Sequence, residues 1–389
     1  MLPLYGIYNL TIGLLFVVIA PLMLIIAKRN FRENQQYGGY SIIVTVAISL
    51  CIGLYYIINA ISIYIQSLSY LDPLSRLQFV QGRFFLAGLF PYNIGAITLF
   101  TLPLFIIAIG IFAWAVNITE KKGMSKGDPG PTKAKNSIDL EISRKLFHIG
   151  LIALLVLYIM VGKMVVSNIF GYYSDTFCSG NLAGNFIPFD DFYNLNLTSY
   201  EPYMGQTMMM FAFIVVFFLV LFADLVRIYK PKYYLLKTIS QQWRSYERGS
   251  FGPHIHMLMG CLFVIIFFRP PIACVAITIT ALGDGVATII GVAKGKRKLR
   301  AGSEKTWEGA IAGFLASFIF GFMLYFVMIG LASIYGPFYQ GTVLGGIIIS
   351  LVGATTFFII DYISLPISDN ILNPVVCGCV MWLVSLVII

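Results

Sequence analysis

Residues 271–292 read PIACVAITITALGDGVATIIGV, an apolar run whose one charge is Asp284. A helix of this length covers about 33 Å, enough for the roughly 30 Å hydrocarbon core of a bilayer. Inside that core water cannot satisfy the backbone, so only a helix or a closed barrel can cross. The run lacks the alternation of a barrel strand. Comparable runs recur, and we read ten spans: Gly6–Ala27, Tyr40–Gln66, Tyr92–Val116, Leu146–Val166, Gln206–Ile228, His254–Phe268 (a short one), Pro271–Val292, Glu308–Ala332, Thr342–Ile363 and Ile371–Ile389. Of the 389 residues, 59% are hydrophobic and 11% charged, against about 25% charged in an ordinary soluble domain. A soluble enzyme, a disordered regulator and a secreted disulfide scaffold are excluded. Of the six cysteines only Cys178 lies in a polar loop, and one thiol makes no framework. The expected fold is all-α, a polytopic transmembrane helix bundle.

A net charge of +9 invites a nucleic-acid reading until the charges are placed. The loops after spans one, three, five and seven, with Arg227 at the end of span five counted in, carry 3, 7, 6 and 6 Lys or Arg, which is 22 of the 26. Positive loops mark the cytoplasmic side, so the N-terminus is expected outside and no nucleic-acid partner is implied. The basic face suits anionic membrane lipids or phosphates. The first three spans carry no polar constellation, whereas the later ones carry several. An accessory region over residues 1–120 and a functional bundle over residues 140–389 are therefore expected.

Charges within apolar helices are costly and mark function by default. Asp284 lies between Gly283 and Gly285, and Ala287, Gly291 and Gly295 follow it at i+3, i+7 and i+11 on one helical face. Such a stripe serves close helix packing, which explains the glycines but not the carboxylate. The following loop holds Lys294, Lys296, Arg297, Lys298, Arg300 and Lys305, with glycines among them. Ammonium, guanidinium and backbone N–H groups of this kind can wrap a polyphosphate. Lys305 and Thr306 stand at the start of span eight, where a helix N-terminus favours an anion. The Walker A spacing and its Ser or Thr are missing.

Other charged groups fall on the same membrane face. Asp224 and Arg227 are spaced to pair at i, i+3, and Arg244, Glu247 and Arg248 follow. Arg144, Lys145 and His148 open span four, while Asp361, Asp369 and Asn370 lie between the last two spans. His254 and His256 would point to different helix faces, which argues against zinc.

The segment Ala281-Leu282-Gly283-Asp284-x-x-Ala287-x-x-x-Gly291-x-x-x-Gly295, followed by Glu304-Lys305-Thr306-x-Glu308-Gly309, resembles the nucleotide-binding segment of the membrane-embedded CTP-dependent lipid kinases. That group comprises dolichol, phytol and polyprenol kinases and CTP-dependent diacylglycerol kinase, and is related to the phosphatidate cytidylyltransferases. Arg144-Lys145-x-x-His148, Asp224-x-x-Arg227, Arg244-x-x-Glu247 and Asp369-Asn370 are further matches, so the likeness covers about residues 140–389. Family members often carry a Glu upstream of the Asp-Asn pair. Here the nearest acid is Asp361, to which the resemblance assigns no role.

The resemblance implies transfer of the γ-phosphoryl group of CTP to the hydroxyl of a membrane lipid alcohol, with Mg²⁺. Asp284 would hold the metal, and Glu308 would complete its shell or position the hydroxyl. Lys294, Lys296, Lys298, Arg300 and Lys305 would hold phosphates, with Thr306 at the helix start and Gly283, Gly291 and Gly295 allowing close approach. Asp224 or His148 would be the base. The implied location is an integral membrane protein of the plasma or endoplasmic reticulum membrane, its site facing the cytoplasm. A cytidylyltransferase making a CDP-lipid is the nearest rival. A transporter broken at Gly283-Asp284-Gly285 is more distant, because no inverted repeat is visible.

Overall fold

The computed structural model describes residues 4–72, 79, 201–230, 249–303, 305–335 and 341–388. The expected spans three and four, Tyr92–Val116 and Leu146–Val166, lie outside the described residues. So do Arg144, Lys145, His148, Arg244 and Glu247.

Among the described residues there are nine α-helices and one π-helical turn. They are α1 (Leu4–Arg32), α2 (Gln36–Ser67), α3 (Glu201–Tyr229), α4 (Pro253–Phe267), α5 (Pro270–Thr278), the π turn Ile279–Gly283, α6 (Asp284–Lys294), α7 (Trp307–Tyr335), α8 (Val343–Ile363) and α9 (Asp369–Ile388). Seven described segments, with α5 to α6 counted as one, are long and apolar enough to cross a membrane. The sixth expected span is α4, at 15 residues. Its rise is about 22 Å, short of a bilayer core. It lies in the middle of the bundle, with nearly every residue from Ile255 to Ile266 buried.

Burial sorts the helices into an inner and an outer set. α4 packs on α2, α3 and α9, and α5 on α7 and α9. Every residue of α5 is buried. The outer helices expose rows of large apolar side chains, among them Leu22, Ile319, Met323, Leu351 and Leu386. A water-soluble monomer rarely shows so much contiguous apolar surface; against lipid tails it costs nothing.

Helix ends with charge gather at one end of the bundle. The Arg29 guanidinium at the end of α1 donates to the Gly249 carbonyl, and Asn30 Nδ2 donates to Ser250 Oγ at 2.7 Å. Arg227, near the end of α3, donates to the Ser250 carbonyl and, through Nε at 2.9 Å, to Asp224. Asp224 also accepts the Gly252 N–H at 2.7 Å. Both members of this ion pair are almost fully buried. Such a pair holds only when its remaining hydrogen-bonding capacity is met, as it is here.

The α6–α7 crossing fixes the site. Gly283 opens the contact stripe with α7. A Cβ on Gly283 would collide with Ser317, one on Gly313 would lie 2.6 Å from the Ala287 Cβ, and one on Gly309 would lie 2.7 Å from the Ala287 carbonyl oxygen. Regular helical spacing from Asp284 onward keeps Asp284 on one face with Ala287 and Gly291. Just before it lies the π turn, in which the Asp284 N–H reaches back five residues to the Ile279 carbonyl. A π turn inserts one extra residue and so re-aims the side chains after it.

Backbone sits opposite a Cβ at position 309, so Gly309→Ala should destabilise the protein by about 1–3 kcal/mol, the range for overpacking. Gly330→Ala, with nothing within 4 Å of the added carbon, should be neutral or slightly stabilising. Thermal unfolding of both variants in one detergent checks this.

Candidate active site

At the charged end of the bundle a cleft of about 660 Å³ opens between α6, the loop 295–306, the start of α7, and the junction of α8 with α9. Its walls are built from short local rules. Thr306 Oγ1 accepts the Gly309 N–H at 3.2 Å, capping α7 as threonine does before a helix. The loop folds back on itself: the Leu299 N–H donates to the Lys305 carbonyl and the Trp307 N–H to the Arg297 carbonyl, both at 2.9 Å. Gly302 turns the tip at φ 78°, a left-handed conformation in which only glycine is unstrained. Leu299 is tucked inward, so Lys298 and Arg300 on either side of it reach the cleft wall.

Lys305 is the centre of the arrangement. Its Nζ lies 2.7 Å from Asp361 Oδ1 and 2.8 Å from Asp369 Oδ2. Asp361 comes from the last turn of α8 and Asp369 opens α9, so one ammonium group ties three helix ends together. Burial works against the charge on Lys305, but Asp369 and Asp361 outweigh it and raise its pKa above the ordinary lysine value. The group is a fixed cation and not a proton acceptor. From α2, the Tyr37 hydroxyl donates to the other oxygen of Asp369 at 3.2 Å. Asp284, 9% exposed, lines the facing wall and interacts electrostatically with both Asp361 and Asp369.

The structure distributes the sequence candidates unevenly. Asp284, Gly291, Gly295, Lys298, Arg300, Lys305, Thr306 and Asp369 all line the cleft. Lys294 and Lys296 are exposed and do not line it, nor does Asn370. Gly283 faces Ser317 and the backbone of α7. Glu308 is not on the cleft wall; its Oε2 accepts the backbone N–H groups of Lys296 at 3.1 Å and Arg297 at 3.3 Å, holding the base of the loop. Asp224 and Arg227 also lie off the cleft and join α3 to the start of α4. Two further lining residues, Asp361 and Tyr37, receive no role from the sequence. Asp361 carries a signal, a carboxylate at the end of an apolar helix. Tyr37 is one of many tyrosines on apolar helices and carries none.

A divalent ion suits the donor set in kind. Among the described residues no group of three or more His, Cys, Asp or Glu side chains could hold a metal by itself. Mg²⁺ does not require one, since it takes one or two carboxylates together with phosphate oxygens and waters. The cleft offers hard carboxylate oxygens on both walls.

No protein-family model matches the chain, and no solved structure matches it. Part of it is similar to plant phytol kinases. A probable chloroplastic phytol kinase of Zea mays is 32% identical over 99 residues, 25% of this chain and 32% of that protein. One of Triticum aestivum is 27% identical over 150 residues, 38% of this chain and 49% of that protein. Phytol kinase 1 of Arabidopsis thaliana is 32% identical over 96 residues, 24% of this chain and 30% of that protein. The matched part therefore spans from 30% to 49% of the length of these relatives. The likeness points to a polyprenol- and phytol-kinase-like group.

If Glu308 serves the loop through its acceptor oxygen, Glu308→Gln should leave tryptic cleavage at Arg297, Lys298 and Arg300 close to wild type. Glu308→Ala should speed that cleavage severalfold. Timed proteolysis in detergent, read by mass spectrometry, distinguishes the two.

Proposed function

We propose that this protein is a membrane-embedded lipid-alcohol kinase that transfers the γ-phosphoryl group of CTP to the hydroxyl of a dolichol-, polyprenol- or phytol-like alcohol. The observation that carries this reading is the cleft itself: a carboxylate on an apolar helix faces an anchored lysine and two flanking cations at the charged end of the bundle. The partial likeness to phytol kinases supports it. CTP as donor rests on the resemblance of the segment 281–309 to the CTP-dependent lipid kinases.

Phosphoryl transfer asks mainly for positioning and charge neutralisation. Lys298, Arg300 and Lys305 would hold the phosphates, with Lys305 kept in place by Asp361 and Asp369. Asp284, with a second cleft carboxylate, would hold Mg²⁺, which when bound neutralises phosphate charge. The alcohol oxygen forms a bond to Pγ as the bond from Pγ to the bridging oxygen breaks. CDP leaves, and the hydroxyl proton is taken up by a base. Asp224 lies off the cleft, engaged by Arg227 and Gly252, and His148, outside the described residues, is the other sequence candidate for that base. The lipid tail stays among the helices while its hydroxyl meets the charged end, which the positive loops assign to the cytoplasm.

A cytidylyltransferase would need further positive charge for a lipid phosphate. Of the sequence candidates for it, Arg227 is committed to Asp224 and the Ser250 carbonyl, and Arg244 and Arg248 lie outside the described residues.

Purified protein should be given Mg²⁺, a panel of lipid alcohols plus phosphatidate, and CTP labelled at the α or the γ phosphate. Label from γ should enter an alcohol, and Asp284→Asn should lower that rate at least about a hundredfold, as expected when a charged transition-state contact is lost, without lowering the melting temperature. Entry of α label would make the protein a cytidylyltransferase. A fully active Asp284→Asn would remove Asp284 from the machinery.

A further inference from the structure

The region expected to be accessory reaches into the cleft, and it does so through built contacts. Tyr37 lines the cleft from the first turn of α2 and donates to Asp369 Oδ1, while Asp369 Oδ2 holds Lys305. The two oxygens of one carboxylate are thus divided between a phenol and an ammonium group. The backbone under Tyr37 is fixed as well. The fully buried Ser41 hydroxyl donates to the Tyr37 carbonyl at 2.7 Å and accepts the Ser368 N–H at 2.9 Å, at the residue that precedes Asp369. Further along the same hairpin, Asn30 bonds Ser250, and a Cβ on Gly38 would lie 2.9 Å from Ser250 Oγ.

We propose that Tyr37 is a positioning residue: by holding Asp369 from α2, it fixes the Lys305 ammonium in the orientation that receives the nucleotide phosphates, which makes the N-terminal hairpin part of the active unit. This inference rests on the kinase reading for its kinetic consequence, but the positioning of Lys305 can be measured without any turnover. Without the phenol the Asp369 carboxylate loses its tie to α2 and keeps only Lys305 and a backbone N–H. Removing the phenolic oxygen therefore loosens Lys305 without touching Lys305 itself.

The test is Tyr37→Phe, with Thr45→Val as its control. Thr45 lies two turns further along α2, its hydroxyl 2.7 Å from His256 Nδ1 and away from the cleft. The first readout is competitive amine labelling of the whole protein in detergent, taken as the ratio of Lys305 to the exposed Lys296. Tyr37→Phe should raise this ratio severalfold, and Thr45→Val should leave it unchanged while lowering the melting temperature. The second readout is kinetic: Tyr37→Phe should raise the nucleotide KM about tenfold, the scale of one hydrogen bond to a charged group, with the lipid KM unchanged. A general loosening would instead lower kcat and spare both constants.

Wild-type labelling in Tyr37→Phe overturns the proposal, as does an equal rise in Thr45→Val. If the wild-type protein phosphorylates no lipid but labelling still separates the two variants, the kinase reading fails and the positioning role stands.

Discussion

The site depends on one cation shared by two carboxylates at the edge of an apolar bundle. Lys305, Asp361 and Asp369 come from three different helix ends, and none of these groups could be withdrawn from water alone at a tolerable cost. Together they hold the start of α7, the end of α8 and the start of α9 at a set separation along one side of the cleft. The triad keeps a net negative charge, and Asp284 on the opposite wall adds to it. Lys298 and Arg300 balance that charge from the loop. A site of this composition receives a polyphosphate with its own countercharge more readily than a bare anion.

A second constraint lies beneath the triad. The loop that lines the cleft joins α6 and α7, which approach closely through Gly283, Ala287, Gly309 and Gly313. Close backbone approach is a common way for membrane helices to associate, since lipid tails remove the hydrophobic drive that operates in water. The glycines thus act through the scaffold, and the same helix carries Asp284 at the cleft wall. Asp224 and Arg227 have a comparable role at the α3–α4 junction, where a satisfied buried pair fixes the chain that leads to the inner helix.

Much of this was legible in the sequence, for physical reasons. Long apolar runs have one structural solution in a bilayer, so helicity and the membrane setting followed directly. Asp284 and the basic loop stood out because charge is rare in this chain. What could not be read was direction. Glu308 follows a nucleotide-binding pattern, yet its carboxylate turns back to the Lys296 and Arg297 amides, and spacing alone does not say which way a side chain points. The shortness of α4 was legible, but its place at the centre of the bundle was not. Tyr37 and Asp361 become significant only through partners 332 and 56 residues away in the chain.

The central claim is that the nucleotide is bound at the charged end, between the loop and the triad. The most direct measurement is backbone hydrogen exchange of the intact protein, with and without CTP and Mg²⁺. Slowed exchange concentrated in residues 295–306 and at the start of α9 is the expected result. Exchange unchanged there, with protection appearing at the opposite end of the bundle, would contradict it.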